Sequence, residues 1–263
     1  MTATPKDRSV YDEAVYWDLA FRDETADEVA FVDALSRRSA DRGDRIRSVY
    51  EPGCGGGRLV VALAAAGYEV VACDLSEPAV RYVRHRLTRR RLDAEVAVGD
   101  MRKWKPSPAV DLAFCPVNTF RHLLTEADAV AHLQTVAECV RPGGHYAIGL
   151  HLLPPDADPE DSESWTARHG RTAVRVRLDV TEFDRRRRIE RLRFRLRIDS
   201  PKGKRTIEST FDYRIYTAAQ LRSLLRKLPQ WEHVSTHDFW WDLDEPLTLN
   251  DDLGDTVILL RRR

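Results

Sequence analysis

Long apolar runs are missing from this sequence: nowhere do about 18 apolar residues follow one another, as a membrane-spanning helix requires. Neither sign of charge dominates, with 42 Lys+Arg against 42 Asp+Glu in 263 residues, so no global excess points to nucleic acid or an anionic membrane as partner. Cysteine is scarce. The four, Cys54, Cys73, Cys115 and Cys139, lack CxxC or metal-like spacing and three sit in apolar runs, so they read as buried free thiols of a reducing compartment. The opening MTATPKDRSVYDEAVYWDL lacks the apolar stretch of a signal peptide. The expectation is a soluble, cytoplasmic protein without a metal centre, long enough for one large α/β domain with an elaboration.

What is present is a change of rhythm along the chain. Residues 12 to 40 place Val15, Leu19, Val29, Phe31, Val32 and Leu35 at roughly helical spacing, which suggests one or two amphipathic helices. Strand-like and helical runs then alternate. They are Ile46 to Tyr50, a helix from Arg58 to Ala66 stopped by Gly67, EVVACD at 69 to 74, a helix opened by Ser76-Glu77-Pro78, and AEVAV at 94 to 98. VDLAFC at 110 to 115, a helix from Thr125 to Val140 and HYAIGLHL at 145 to 152 follow. This alternation predicts a parallel sheet covered on both faces by right-handed crossovers. Beyond Pro154-Pro155 the period falls to two: Val174, Val176, Leu178 and Val180 alternate with charged residues, as do Leu192, Phe194, Leu196 and Ile198. Turns at Asp184 to Arg187 and Ser200 to Gly203 fold these strands, with 205 to 215, into an antiparallel meander. A helix from Thr217 to Leu228 and strands at 231 to 241 and 256 to 262 end the series.

Between the first strand and its helix stands Glu51-x-Gly53-x-Gly55-x-Gly57. Each glycine costs backbone entropy, so consecutive glycines behind a strand imply that something lies against bare main chain, where open α/β sheets bind their ligands. A tight turn with no ligand is the plainer alternative. Two later strand ends also carry acids, Asp74 and Asp100, the second followed by Met101, so three successive strands present carboxylates at one edge. A dinucleotide enzyme is the rival reading. It would seat its pyrophosphate on GxGxxG, whereas this loop is GxGxG and the acid two residues ahead of the first glycine would repel a phosphate.

These residues resemble the class I methyltransferases that use S-adenosyl-L-methionine. Glu51-Pro52-Gly53-Cys54-Gly55-Gly56-Gly57 is similar to their first motif, Asp74 to the acid on the ribose hydroxyls, Asp100-Met101 to the pair holding adenine, and Arg141-Pro142-Gly143-Gly144 to the turn before their fifth strand. The resemblance implies a seven-stranded, mostly parallel doubly wound sheet with its last strand antiparallel. It implies S-adenosyl-L-methionine as cofactor, held by Glu51, Gly53, Cys54, Gly55, Asp74, Leu75, Asp100, Met101 and Cys115. It sharpens toward bacterial small-molecule enzymes such as sugar N-methyltransferases, with a tyrosine-containing N-terminal helix, a His-Leu pair after strand four and an antiparallel insertion after strand five. Tyr16 to Phe21, His122-Leu123 and residues 160 to 215 stand in those places. By that likeness His122 is a candidate base or substrate orienter and Tyr16 a lid residue near the methyl donor, with Tyr11 as the alternative tyrosine. Capping or packing roles stay open for these side chains. Cys115-Pro116-Val117-Asn118 is not the Asn/Asp-Pro-Pro-aromatic signature of base-modifying amino methyltransferases, which disfavours nucleic acid as substrate.

The window 168 to 214 is rich in arginine, yet no stacking aromatics share the arginine face and Phe194 lies on the apolar side. A solvated outer face therefore outweighs a nucleic-acid platform, while arginines turned to the cleft would instead select an anionic ligand. Trp231, Phe239, Trp240 and Trp241 read as core packing or a dimer contact. The expectation is one methyltransferase domain over 1–263, with 160–215 as lid or dimer element, acting on O or N of a small molecule. An RNA methyltransferase and a catalytically inactive cofactor-binding protein are the alternatives, and a homodimer stays open.

Overall fold

The alternation of the sequence becomes 11 strands and six α-helices in the computed structural model, which describes residues 9–41, 43–157 and 162–263. The expectations for residues 1 to 8 and for the first two residues of the insertion lie outside the described residues. After a 3-10 turn at Val10–Asp12 come α1 (Ala14–Ala20) and α2 (Thr25–Ala40), then β1 (Ser48–Pro52), α3 (Arg58–Ala65), β2 (Glu69–Asp74), α4 (Glu77–Arg90), β3 (Glu95–Val98) and β4 (Val110–Cys115). They continue with α5 (Glu126–Cys139), β5 (Val140–His151), β6 (Ser162–His169), β7 (Thr172–Asp184), β8 (Ile189–Ser200), β9 (Gly203–Arg214), α6 (Ala218–Leu225), β10 (Trp231–His237) and β11 (Asp255–Arg262).

Seven strands pair in the order β10-β11-β5-β4-β1-β2-β3. The pairs β1·β2, β1·β4, β2·β3 and β4·β5 are parallel, and β11 runs antiparallel to both its neighbours. The chain steps outward from β1 through β2 to β3, then returns to β4 on the other side of β1. That reversal opens a crevice beyond the carboxyl ends of β1 and β4, the place where such sheets bind ligands. Side-chain caps fix the helices around it: Ser76 accepts from Ala79 N, Thr125 from Asp128 N, and Thr217 forms a capping box with Gln220.

Several boundaries differ from the sequence reading. The first strand lies two residues later than its apolar run, because the ladder with β2 extends to Pro52↔Cys73 and draws Glu51 into the strand. The fifth begins at Val140, since Pro142 to Gly144 are absorbed as a register shift opposite β4 rather than expelled as a turn. The last helix ends at Leu225 and β10 at His237; past it Phe239 stacks flat on Trp241, with 5° between the rings. Trp231 and Trp241 are buried as core, whereas Trp240 is 86% exposed.

The second sheet, β6-β7-β8-β9, is antiparallel throughout. Its period-two pattern puts Val174, Val176, Phe194, Leu196 and Ile198 on one face, buried against Val10, Leu19 and Ala20 of the N-terminal segment. Two hydrogen bonds tie that segment down: Val10 N donates to Ser209 Oγ at 2.9 Å, and Trp165 Nε1 to Ala20 O at 2.8 Å. On the opposite face arginines meet carboxylates, Arg177 with Asp179 along β7 and, across the strands, Arg193 with Asp179, Arg191 with Glu182 and Asp212, and Arg195 with Glu208. All four cysteines are free and buried. Among the described residues no helix is long and apolar enough to cross a membrane.

Gly57 begins α3 with φ 69°, and a Cβ there would lie 2.6 Å from both methyls of Val83 on α4. A left-handed non-glycine residue costs about 1–2 kcal/mol and overpacking about 1–3 kcal/mol. Gly57→Ala should therefore lower the unfolding free energy by at least about 2 kcal/mol, read as a reduced urea midpoint with unchanged slope.

Candidate active site

The glycine loop folds back over the end of β2. Gly53 N and Cys54 N both donate to Cys73 O, at 2.8 and 3.0 Å. The Asp74 carboxylate then pins the loop from below: Oδ2 accepts from Gly55 N at 2.7 Å and Oδ1 from Ser76 N at 2.8 Å. Each oxygen keeps a further lone pair for a ligand. Burial pushes the Asp74 carboxyl up, opposed by those two backbone donors.

Glu51, at the end of β1, is buried, and among the described residues nothing hydrogen-bonds its Oε2. Burial drives its carboxyl well above the ordinary range, against the pull of Arg58. Asp18 of α1 is similar: Oδ2 pairs with Arg86, Oδ1 has no partner, and burial raises the carboxyl to about 6. Arg58 satisfies neither orphan, because Glu28 and Thr25 Oγ1 engage its guanidinium. Two buried carboxylate oxygens beside the glycine loop thus lack a hydrogen-bond partner among the described residues.

These groups form the floor of a cavity of about 820 Å³. Glu51, Gly53, Cys54, Gly55, Asp74, Leu75 and Met101, all expected from the sequence, line it together. Its roof is the apolar face of the second sheet, including Trp165, Phe194, Phe211 and Tyr213, and one wall is Tyr11, Trp17 and Phe21.

Three expected residues stand elsewhere. Asp100 is turned away, with Arg102 Nε 3.0 Å from both its oxygens, so Gly99 and Met101 face the cavity instead. Cys115 is fully buried within the core cluster and does not line the cavity. Tyr16 sits under the Arg205 guanidinium, 4.9 Å from its ring centroid, outside the lining. On this helix it is Trp17 and Asp18 that line the cavity, and Tyr16, about 100° further round from Trp17, packs outside it. Tyr11 takes the position instead.

Tyr11 is joined to His122, whose Nε2 lies 2.9 Å from its hydroxyl oxygen. Burial pulls the His122 imidazole down to about 4, with nearby Arg121 adding to the effect, so the ring is neutral near pH 7. Burial likewise pushes the Tyr213 hydroxyl up to about 12. Arg121 is buried and fully committed: it pairs with Glu190, donates to Arg214 O and lies over the Tyr213 ring. Among the described residues no arginine of the charged insertion face lines the cavity. Sequence reasoning missed the Arg121–Glu190 pair, Trp165 and Tyr213, and it missed His151 and Asp255 at the far rim. Alternation had marked the roof strands, and Phe194 as apolar-facing, but nothing local says which cavity that face would cover. No cluster that could hold a metal occurs among the described residues.

The family described as methyltransferase domain matches residues 49–144, the span from β1 to the start of β5. That stretch of the chain is similar to a methyltransferase domain. A cypemycin N-terminal methyltransferase from Streptomyces sp is 35% identical over 100 residues, covering 37% of this chain and 39% of that protein. A ubiquinone biosynthesis O-methyltransferase from Aromatoleum aromaticum is 29% identical over 150 residues, 55% of this chain and 61% of that protein. The chain therefore spans less than two thirds of either relative. The sugar N-methyltransferase KedS8 from Streptoalloteichus sp superimposes with a TM-score of 0.69 at 16% identity, over 94% of this chain and 92% of that one, a likeness of fold. The floor of the cavity fits S-adenosylmethionine. The orphaned oxygens of Glu51 and Asp18 suit an ammonium, Asp74 suits two vicinal hydroxyls, and the bare backbone of the glycine loop admits close approach.

Labelled-histidine NMR should find His122 uncharged at pH 7 and protonating near pH 4. The unfolded chain takes that proton near the ordinary 6.5, so the stability tied to the neutral ring is complete above pH 6.5 and is lost as pH falls toward 4. His122→Asn should flatten that part of the stability curve; a transition at or above 6.5 would contradict the burial.

Proposed function

We propose that the protein transfers a methyl group from S-adenosylmethionine to nitrogen or oxygen of a small molecule, within one domain over 1–263 whose insertion roofs the site. The carrying observation is the pair of unsatisfied buried carboxylate oxygens beside a glycine loop, an arrangement that calls for a cationic ligand without phosphate. When bound, the cofactor supplies a methyl group already activated by its sulfonium. Glu51 would hold its ammonium, Asp74 its ribose hydroxyls and Met101 its adenine. The aromatic roof and wall exclude water, and neutral Tyr11 and His122 orient the acceptor by hydrogen bonding. His122 suits orientation better than proton abstraction, since burial makes it a weak base and Tyr11 occupies its Nε2.

Because Arg58 and Arg121 are both saturated, the acceptor is neutral or cationic rather than anionic. The paired arginines of the outer face support a small-molecule acceptor over nucleic acid. With its apolar face spent on the roof, the insertion is a lid rather than a dimer element. Relatives named for methylation at nitrogen and at oxygen leave both acceptor atoms within this reading, and buried free thiols suit a cytoplasmic setting.

Calorimetry with S-adenosylhomocysteine tests the floor. Asp74→Ala should weaken binding by about 1–3 kcal/mol through lost charge-assisted bonds, and unchanged affinity would refute the assignment. Transfer of label from methyl-labelled cofactor to a pool of amine and phenol acceptors tests the reaction itself.

A further inference from the structure

A second polar pair stands at the sheet edge, unused by the cofactor floor. His151 ends β5, Asp255 begins β11, and the two face one another in the antiparallel ladder. Nδ1 of His151 lies 2.8 Å from Oδ1 of Asp255, and both residues line the cavity that holds Glu51 and Asp74. In the strand order, β5 and β11 lie beyond β4, opposite β1 and β2. The pair therefore belongs to the half of the crevice left for the acceptor.

Three details give the imidazole a fixed pose with a free outer nitrogen. Asn118 Oδ1 accepts from His151 N at 2.7 Å, tying the end of β5 to the turn after β4. Nδ1 is committed to Asp255, and no described residue hydrogen-bonds Nε2. Position 254 is glycine, where a Cβ would stand 3.4 Å from Cε1 and 3.9 Å from Nε2, so no side chain from that position covers this edge of the ring. The His151 side chain is 39% exposed, which gives a proton a route to solvent. His122 contrasts on each count, being more deeply buried and held at Nε2 by Tyr11.

We propose that His151, oriented by Asp255, is the general base that takes the acceptor's proton during methyl transfer. The inference rests on the methyl-transfer reading above. The acceptor's N–H or O–H proton passes to Nε2 of His151, and the freed lone pair bonds to the methyl carbon. The carbon–sulfur bond breaks with its electron pair going to sulfur, which leaves a neutral thioether. The imidazolium, held by Asp255, then returns its proton to water. Glu24, beside Arg58 and raised by burial to about 7, and Glu163 of the roof are further acidic groups that line the cavity.

The test uses the full chain with S-adenosylmethionine and tyramine, a probe acceptor offering both an amine and a phenol. His151→Gln keeps a donor for Asp255 but cannot take a proton. Its kcat should fall by about 100-fold near neutral pH, with KM and S-adenosylhomocysteine affinity little changed, and the deficit should shrink as rising pH strips the acceptor's proton without help. Full turnover in His151→Gln, or a loss of the same size at every pH, overturns the proposal. A second measurement needs no acceptor: nitrogen NMR of labelled histidine should place the neutral His151 proton on Nδ1, and Asp255→Ala should give mixed tautomers. A proton on Nε2 in the unaltered protein overturns the proposal as well. Failure of the unaltered chain to bind S-adenosylhomocysteine would bring down the methyl-transfer reading and this proposal with it, whereas the other adverse results remove only the base.

Discussion

The floor of the cavity turns on a carboxylate that the protein itself leaves half satisfied. Burying Glu51 without a partner for Oε2 costs free energy that no contact within the described chain returns. The surroundings compound the penalty, since Asp18, Glu28 and Asp74 all push the same carboxyl upward and the nearest guanidinium, Arg58, is claimed by Glu28. An arrangement so unfavourable when empty is favourable once a cation enters. The glycine loop, pinned to Asp74 through Gly55 N, leaves the backbone open on the side from which that cation comes.

The roof solves a different problem. A doubly wound sheet leaves its crevice open to water, and methyl transfer profits from a dry, ordered acceptor. Here the antiparallel insertion spends its apolar face on that cavity and on α1, while its arginine-rich outer face is solvated and partly offset by ion pairs worth little individually. The Arg121–Glu190 pair joins the two layers. One partner follows β4 and the other sits on β8, so the roof is fastened to the floor by a buried charge pair whose separation would strand both members.

The architecture was legible because period and punctuation are local. Alternating runs, caps at Ser76, Thr125 and Thr217, and the glycine loop each sit within a few residues of the structure they specify. Floor residues at strand ends were legible for the same reason: Glu51, Asp74 and Met101 inherit their position from the strands before them. Failures came where orientation depends on a side-chain partner, near or distant, rather than on the strand itself. Asp100 looked equivalent to Asp74 until Arg102, two residues on, captured it. Tyr16 and Tyr11 could not be told apart by pattern, since which face of α1 meets the cavity is decided by β6 and β7, some 150 residues later. The His151–Asp255 pair, 104 positions apart, exists only because β11 lies antiparallel beside β5.

The bond from Val10 N to Ser209 Oγ spans 199 positions. The wall that carries Tyr11 and Trp17 is synthesised well ahead of the sheet it packs against, so it has to wait on the ribosome, its aromatic side chains unsheltered, until β9 emerges. Enclosure of the cavity is consequently a late event in folding, governed by contacts of very high sequence separation.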